Sequence, residues 1–172
     1  MPRARPSTMH AEMRQPRPFR SDARAATVAL LRTASVVGRA IGRVLEPWGL
    51  SVAQYNALRV VRGAGAGGIA TLAVRERMIE EGTTITRLLD KLETAGLITR
   101  ERDFPDRRQV ICVATPAGKR LLDEIDPKVD AADEAAVAAL DQKQLATFVA
   151  LLDRVRAANA ARGAPRTVVR AG

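Results

Sequence analysis

The spacing of apolar residues changes once from a helical to a strand period, between residues 83 and 113. Four apolar residues first recur on one helix face: Ile85, Leu88, Leu89 and Leu92. Gly96 then ends the pattern, and two β-prone runs follow at residues 97–102 and 109–113. The sequence therefore predicts a helix over residues 83–95 and, after it, a two-stranded hairpin.

Helical spacing also precedes this segment. Residues 21–48 predict a long amphipathic helix from six apolar positions: Leu30, Ala34, Val37, Ile41, Val44 and Trp48. Ser51 and Gln54 then form a capping-box pattern, in which the serine side chain bonds an amide three residues on and the glutamine side chain returns the bond. This pair predicts a second helix that runs to about Arg62.

A short helix completes a helix-turn-helix pattern. Residues 63–68 contain four glycines, which predicts a linker or an exposed turn. Thr71 can cap a short helix that ends near Met78. A short helix, a turn, a second helix and a hairpin form the winged helix-turn-helix arrangement, in which the second helix, here residues 83–95, enters the major groove of DNA.

Helices resume after the hairpin. Thr115 and Pro116 predict a helix start, because threonine caps a helix and proline suits its first position. Pro127 is expected to bend or break this helix. Asp141 and Gln144 form a second capping box that predicts a last helix. The predicted fold is mostly α with a small β-hairpin wing, a winged helix-turn-helix core flanked by N- and C-terminal helices.

The predicted recognition helix presents polar side chains opposite its apolar face: Asp90, and the candidate contacts Thr83, Thr84, Thr86, Arg87 and Lys91. Threonine hydroxyls beside free amides at a helix N-terminus suit phosphate or base-edge contacts. The planar guanidinium of Arg87 can pair with O6 and N7 of guanine. These residues are candidate DNA contacts, and the alternative is an ordinary solvated helix face.

The tip of the hairpin, residues 103–109, carries a second candidate DNA contact. Arg107 and Arg108 project from this loop, where an arginine can reach the narrow, negatively charged minor groove. Asp106 beside them can orient one guanidinium by accepting a hydrogen bond from it. Adjacent arginines are common in loops, so it is their position after a helix-turn-helix that predicts a DNA-binding wing.

Three blocks of residues carry a resemblance to a known family: Ile85-Thr-Arg-Leu-Leu-Asp-Lys-Leu-Glu-Thr-Ala-Gly-Leu-Ile98, Asp106-Arg107-Arg108 and Ala114-Thr-Pro-Ala-Gly118. Residues 71–122, which contain them, resemble the winged-helix core of the MarR (multiple antibiotic resistance regulator) family of bacterial repressors. The resemblance implies a homodimer whose interface uses helices from both chain ends. It also implies that Thr83, Thr84 and Arg87 lie at recognition-helix contacts and that the wing places arginine on DNA.

Most of the net positive charge lies outside the predicted fold. The chain carries 28 Lys and Arg against 19 Asp and Glu, a net charge of +9. Residues 1–20 hold five arginines against one glutamate, and residues 162–172 hold three arginines without an acid. Both ends lack periodicity and are predicted to be disordered basic arms. The predicted organisation between them is a single domain over 21–161, with a winged core over 51–122 and dimerisation helices over 21–48 and 115–160.

The two terminal helices carry apolar stripes that a core of this size cannot cover. They are predicted to pair with a second copy across a two-fold axis, and the alternative is a monomer in which they pack against each other. A dimer places its recognition helices about 34 Å apart and therefore requires a pseudo-palindromic DNA site.

The family resemblance also implies a small phenolic or carboxylate effector, bound between the dimer helices and the DNA-binding lobe. Trp48, Tyr55 and Arg59 are candidate ligand-binding residues near that region, since an aromatic pair with a cation can hold such an anion. Trp48 and Tyr55 also occupy apolar positions at a helix junction, which favours core packing over ligand binding.

The sequence contains little that an enzyme requires. Its one histidine, His10, lies in the N-terminal arm, and no phosphate loop or metal-ligand spacing is found, so no cofactor or metal is expected. The single cysteine, Cys112, cannot form an intrachain disulfide, and no signal peptide is recognised, so a cytoplasmic protein is expected. Cys112 lies in the second wing strand, which favours a buried structural thiol over a peroxide sensor.

These features together predict a sequence-specific transcription regulator that binds double-stranded DNA. Aromatic residues make up only 3%, which disfavours single-strand binding through base stacking. The expected protein is a homodimeric, ligand-responsive repressor with residues 83–95 in the major groove and residues 103–109 in the minor groove. The alternative is a helical protein-interaction module that uses a winged-helix scaffold and docks through its acidic residues 121–161.

Overall fold

The computed structural model describes residues 9–14, 17–79, 84–102 and 109–163. The chain divides into two compact units, Met1–Asp133 and Glu134–Gly172. The helices are α1 (Met9–Glu12), α2 (Asp22–Leu45), α3 (Val52–Gly63), α4 (Thr71–Glu76), α5 (Ile85–Thr94), α6 (Pro116–Val137) and α7 (Gln142–Gly163). The strands are β1 (Ile69–Ala70), β2 (Ile98–Arg102) and β3 (Val110–Ala114).

Helix α2 confirms the long helix predicted over residues 21–48. Ser21 caps it, accepting a hydrogen bond from the amide of Arg24 at 3.2 Å. The α-helix ends at Leu45, and a 3₁₀ turn over Glu46–Trp48 contains Pro47. Gly49 then reverses the chain with φ of 64°, a conformation that glycine adopts without strain.

Helix α3 begins with the predicted capping box. Ser51 Oγ accepts from the amide of Gln54 at 3.2 Å, and Gln54 Oε1 accepts from the amide of Ser51 at 3.0 Å. The helix then contributes four buried residues to the core: Tyr55, Ala57, Leu58 and Val61. It is the central helix of the first unit, because α2, α4, α5 and β3 all pack against it.

The wing is a three-stranded antiparallel sheet in the order β1-β3-β2, one strand more than the predicted hairpin. Residues 63–68 do form a turn, but the turn leads directly into β1, where Ile69 pairs with Cys112. Gly68 has φ of +67°, and a Cβ there would lie 2.6 Å from the Ile111 side chain. Glycine is therefore required where the chain enters the sheet.

The sequence predicted that Thr71 caps α4, and this prediction is wrong. Ala70 occupies the N-cap position, and the Thr71 hydroxyl instead donates to the carbonyl oxygen of Val110 at 3.2 Å. The helix ends at Glu76, two residues before the expected end. The threonine thus ties the start of α4 to β3.

Helix α6 runs through Pro127, so of the two predicted effects of this proline the break is wrong and the bend stays a prediction. The helix begins at the Thr115 cap, where Oγ1 accepts from the Gly118 amide at 3.0 Å and donates to the Gly96 carbonyl at 2.7 Å. Ile125 and Val129, on either side of the proline, are both buried, whereas Pro127 itself is exposed. Packing of the buried face therefore offsets the one helical hydrogen bond that proline cannot make.

The core of the first unit is apolar. Its largest fully buried side chains come from α2, α3, α5, β2 and α6: Leu45, Leu58, Leu89, Leu92, Ile98, Leu122 and Ile125. No charged or polar residue among the described ones is buried. Apolar packing in this core therefore contributes to the positions of α3, α5, α6 and the sheet.

Helix α7 belongs to the second unit and begins with the predicted box. The backbone amide of Gln144 donates to Asp141 Oδ1 at 2.8 Å, and Gln144 Oε1 accepts from the backbone amide of Asp141 at 2.9 Å. The helix exposes large apolar side chains: Phe148, Val149, Leu151 and Val155. No single described helix is long and apolar enough to span a membrane; only α6 and α7 counted together reach that length and composition.

Candidate nucleic-acid interface

Helix α5 has one buried and one exposed face, as its sequence pattern predicts. Leu88, Leu89 and Leu92 are buried, and Ile85 packs against the core. The exposed face carries six polar residues: Thr84, Thr86, Arg87, Asp90, Lys91 and Thr94. Thr83 lies outside the described residues. The exposed candidates therefore share one continuous face, while their role in DNA binding stays a prediction.

Helices α4 and α5 form the predicted helix-turn-helix, and α3 holds the turn that follows α4. The side-chain oxygen of Asn56 on α3 accepts a hydrogen bond from the amide of Ile79 at 3.1 Å. α4 also packs against both α3 and α5. These contacts set the orientation of the exposed face of α5 relative to the rest of the core.

Arg100 joins the wing to the recognition helix, a contact that the sequence did not reveal. It lies on β2 and donates from Nε to Glu93 Oε2 at 2.9 Å, and its terminal nitrogen lies 2.6 Å from Asp90 Oδ1. The hydrogen bond to Glu93, outweighing the effect of burial, raises the pKa of Arg100 above its ordinary value. The only sequence signal is the pair of acids one turn apart on α5, which has no visible partner until the fold is known.

Neither Arg87 nor Lys91 forms an ion pair within the described residues, whereas two other arginines of the core do. Arg62 and Arg100 are each paired with two carboxylates. The unpaired Arg87 and Lys91 line a groove of about 300 Å³ between α5 and the start of α3. An exposed, uncompensated positive charge on the face of a recognition helix suits an anionic partner.

The predicted wing tip, with Asp106, Arg107 and Arg108, lies outside the described residues. The strands that carry it are described, and they pair along their full length from Ile98 opposite Ala114 to Arg102 opposite Val110. The two strands on either side of residues 103–108 therefore belong to a sheet that Arg100 connects to α5.

The candidate ligand residues Trp48, Tyr55 and Arg59 are arranged around α6. Tyr55 is 4% exposed and its hydroxyl donates to Asp126 Oδ1 at 2.7 Å. Arg59 lies 5.7 Å from the centroid of the Tyr55 ring and 4.0 Å from Asp126. Trp48 instead faces the ammonium group of Lys128, 4.7 Å from its ring. Tyr55 thus packs in the core with its hydroxyl occupied, and a ligand role for these residues stays a prediction.

Asp126 is the centre of this cluster. Burial alone would raise its pKa, but the hydrogen bonds from Tyr55 and Arg62 outweigh burial and hold the pKa of Asp126 below its ordinary value. Burial and the bond to Asp126 raise the pKa of Tyr55 to about 12. The cluster joins α3 to α6 through charge-assisted hydrogen bonds.

Cys112 is fully buried in β3, in agreement with the prediction of a structural thiol. Its sulfur lies 3.8 Å from the hydroxyl of Thr71, and burial raises the pKa of the thiol. A thiol that is buried and protonated reacts poorly with oxidants. No group of three or more potential metal ligands occurs in the part of the chain that the structure describes.

Comparison with known proteins identifies the family. The MarR family model matches residues 50–110, from the start of α3 to the start of β3. The transcriptional regulator HosA of Escherichia coli O157:H7 is 28% identical over 106 residues, which cover 62% of this chain and 77% of HosA. A MarR transcription factor from Planctomyces limnophilus is 31% identical, with a TM-score of 0.61 over 79% of this chain and 98% of its own.

A third relative was solved with a small molecule. CouR from Rhodococcus jostii RHA1, bound to p-coumaroyl-CoA, is 27% identical, with a TM-score of 0.66 over 80% of this chain and 95% of CouR. The family match falls on the helix-turn-helix and wing described above, and the structural matches extend over most of the chain. The resemblance found in the sequence is confirmed, and the chain belongs to the MarR family.

Proposed function

We propose that this MarR-family transcriptional regulator binds double-stranded DNA with α5 in the major groove. One observation carries the proposal: the exposed face of α5 presents Thr84, Thr86, Arg87 and Lys91 together, and its two cations are unpaired within the described residues. Arg87 has the planar donor fork that recognises guanine, whereas Lys91 suits a phosphate. Thr83 is assigned to the same face from the sequence.

The wing supplies a second, minor-groove contact in this proposal. Arg107 and Arg108 are its contacts, with Asp106 orienting one of them. The link from Arg100 to Glu93 supports a concerted contact, because it fixes the sheet below the tip to α5. Alanine at both arginines should weaken binding to all sequences and reduce its salt dependence, because each phosphate contact contributes about 0.9 to the salt slope.

The proposed DNA-binding form of the protein is a homodimer. Helix α2 exposes Leu30, Leu31 and Val36, and α7 exposes its own row of apolar side chains. Burying both rows against a second copy would remove large apolar surfaces from water and place two α5 helices on a pseudo-palindromic site. The basic arms at 1–20 and 162–172 would add nonspecific attraction to the phosphates. Sedimentation of the full chain tests the dimer, and a species of 18.5 kDa alone would refute it.

The regulator is further proposed to respond to a small anionic or phenolic effector in the cytoplasm. CouR, a relative, was crystallised with p-coumaroyl-CoA, an aromatic thioester of an anionic carrier. Of the three candidate residues, Arg59 has the most accessible polar group, with 45% of its side chain exposed. Such an effector would act by favouring a conformation in which the two recognition helices no longer fit the DNA.

Selection from a random duplex library tests the function directly. The full-length protein should enrich a pseudo-palindromic sequence and bind it more tightly than a scrambled duplex of the same composition, with an affinity that falls as salt rises. Equal affinity for selected and scrambled duplexes would refute sequence-specific reading. Absence of binding to any duplex would favour the protein-interaction module instead.

A further inference from the structure

Gln54 of α3 lines a groove between α3 and α5, and the proposed contacts of α5 with DNA give this side chain no role. The groove encloses about 300 Å³ and is lined by residues of both helices: Ser51, Ala53, Gln54, Thr84, Arg87, Leu88 and Lys91. Among the residues that the structure describes, no acidic one lines it. The groove therefore combines positive charge with hydrogen-bond donors and suits an anion.

Gln54 is oriented in this groove by its capping bond. The amide N–H of Ser51 requires an acceptor, so the side-chain oxygen of Gln54 must face it, and the two atoms lie 3.0 Å apart. The amide nitrogen of Gln54 is then on the opposite side of the same planar group. This nitrogen has two N–H donors and no acceptor among the described residues. The capping box thus fixes a donor at the wall of the groove.

The two cations of the groove complement that donor. Arg87 and Lys91 lie one turn apart on α5, across the groove from Gln54. Neither is neutralised by a carboxylate in the described structure, unlike Arg100 further along the core. A single anion with several acceptor oxygens could accept bonds from both helices, and a backbone phosphodiester of DNA has this chemistry.

We propose that Gln54 is a positioning residue that binds a backbone phosphate of the operator through Nε2, at the edge of the groove shared with Arg87 and Lys91. The inference rests on the proposed function. A bond from α3 to the phosphate backbone fixes how deeply α5 enters the major groove, and it is independent of base sequence. The Gln54 amide therefore caps α3 with its oxygen and contacts DNA with its nitrogen.

Substitution of Gln54 by glutamate separates these two roles. Gln54→Glu keeps an oxygen that caps Ser51, since glutamate serves equally well in a capping box, but it removes the donor and adds a charge that repels phosphate. The melting temperature should stay at the wild-type value. The Kd for both the selected and the scrambled duplex should rise about tenfold or more, the effect expected for loss of a hydrogen bond to a charged group.

Ser51→Ala is the matched control. It removes the other half of the capping box and leaves the Gln54 nitrogen in place. We expect a lower melting temperature and, well below it, a rise in Kd for DNA that is smaller than that of Gln54→Glu, because Ser51 also lines the groove. A rise in Kd equal to that of Gln54→Glu would mean that the cap alone matters and would overturn the proposal.

Phosphate ethylation interference adds a readout that a structural role would not affect. Ethylation of one particular phosphate should weaken DNA binding by the wild-type protein. Ethylation of the same phosphate should not weaken binding by Gln54→Glu further, because this variant already lacks the contact. An unchanged interference pattern, an unchanged Kd, or a rise in Kd confined to the selected duplex would each overturn the phosphate contact. If the wild-type protein binds neither duplex, the proposed function itself fails, which distinguishes that failure from this one.

Discussion

Arg100 on β2 donates a hydrogen bond to Glu93 on α5 at 2.9 Å, so the wing and the recognition helix are joined by a charged contact. The same guanidinium neutralises Asp90, which lies on the exposed face of α5. Without Arg100, two carboxylates would be uncompensated beside the proposed DNA surface. The contact thus serves both the stability of the core and the charge of the interface.

Arg100→Ala is expected to lower the free energy of unfolding by about 1 to 2 kcal/mol, because the contact is charge-assisted but partly exposed. It should also weaken DNA binding, since Asp90 and Glu93 would then repel phosphates. Adding Asp90→Asn to Arg100→Ala should restore part of the affinity. Chemical denaturation and DNA titration of the three proteins check this, and equal affinity of wild type and Arg100→Ala would contradict it.

Tyr55 is the only tyrosine of the chain, so tyrosinate absorbance reports on it alone. Its pKa is raised to about 12 by burial and by the bond to Asp126. Ionisation should therefore occur near pH 12 in the folded protein and near pH 10 in denaturant. Because the folded pKa is raised, this group's contribution to stability is complete below about pH 10 and is lost as pH rises toward 12. A folded-state midpoint near 10 would show that the hydroxyl is free.

Asp126 should contribute the opposite pH dependence. Its folded pKa is lowered by Tyr55 and Arg62 against the effect of burial, so its contribution to stability is present above the unfolded value of about 3.9 and is lost as the pH falls through the folded pKa. Asp126→Asn should reduce stability at neutral pH and flatten the loss of stability below about pH 4. Denaturant unfolding across that range measures both, and Asp123→Asn, at a carboxylate 74% exposed, is the control.

Gly118 is required by close packing at the start of α6. A Cβ at this position would collide with the carbonyl oxygen of Leu97, which is backbone and cannot move aside cheaply. Gly118→Ala should cost about 1 to 3 kcal/mol of stability. Gly38→Ala is the control, because a Cβ there meets nothing within 4 Å and a helix-interior glycine is replaced by a better helix former. Thermal unfolding that shows equal effects for both would contradict the packing argument.

Local signals in the sequence predicted most of the core correctly. The spacing of Ile85, Leu88 and Leu92 predicted which face of α5 is buried, because burial of a helix follows its own periodicity. The Ser51 and Gln54 box predicted the start of α3, since both partners lie within one turn. The exposed face of α5 followed from the same pattern, which is why its candidate residues share one face in the structure.

The features that the sequence missed depend on residues far apart in the chain. β1 has only two residues and exists because Ile69 pairs with Cys112, so it leaves no alternation to detect. Thr71 looked like a cap, but its hydroxyl finds the Val110 carbonyl, 39 positions away. Arg100 shows no local sign of its partners on α5.

Binding of Arg87 variants to the selected duplex tests the central claim that α5 reads DNA bases. Arg87→Ala should weaken the binding free energy for this duplex by about 1 to 3 kcal/mol and relax preference at one base pair, because a bidentate contact to guanine is lost. Arg120→Ala, which removes the same charge from the exposed side of α6, should keep that preference. Fluorescence anisotropy on the duplex and its single-base variants measures both. An Arg87→Ala protein with wild-type affinity and base preference would contradict the account.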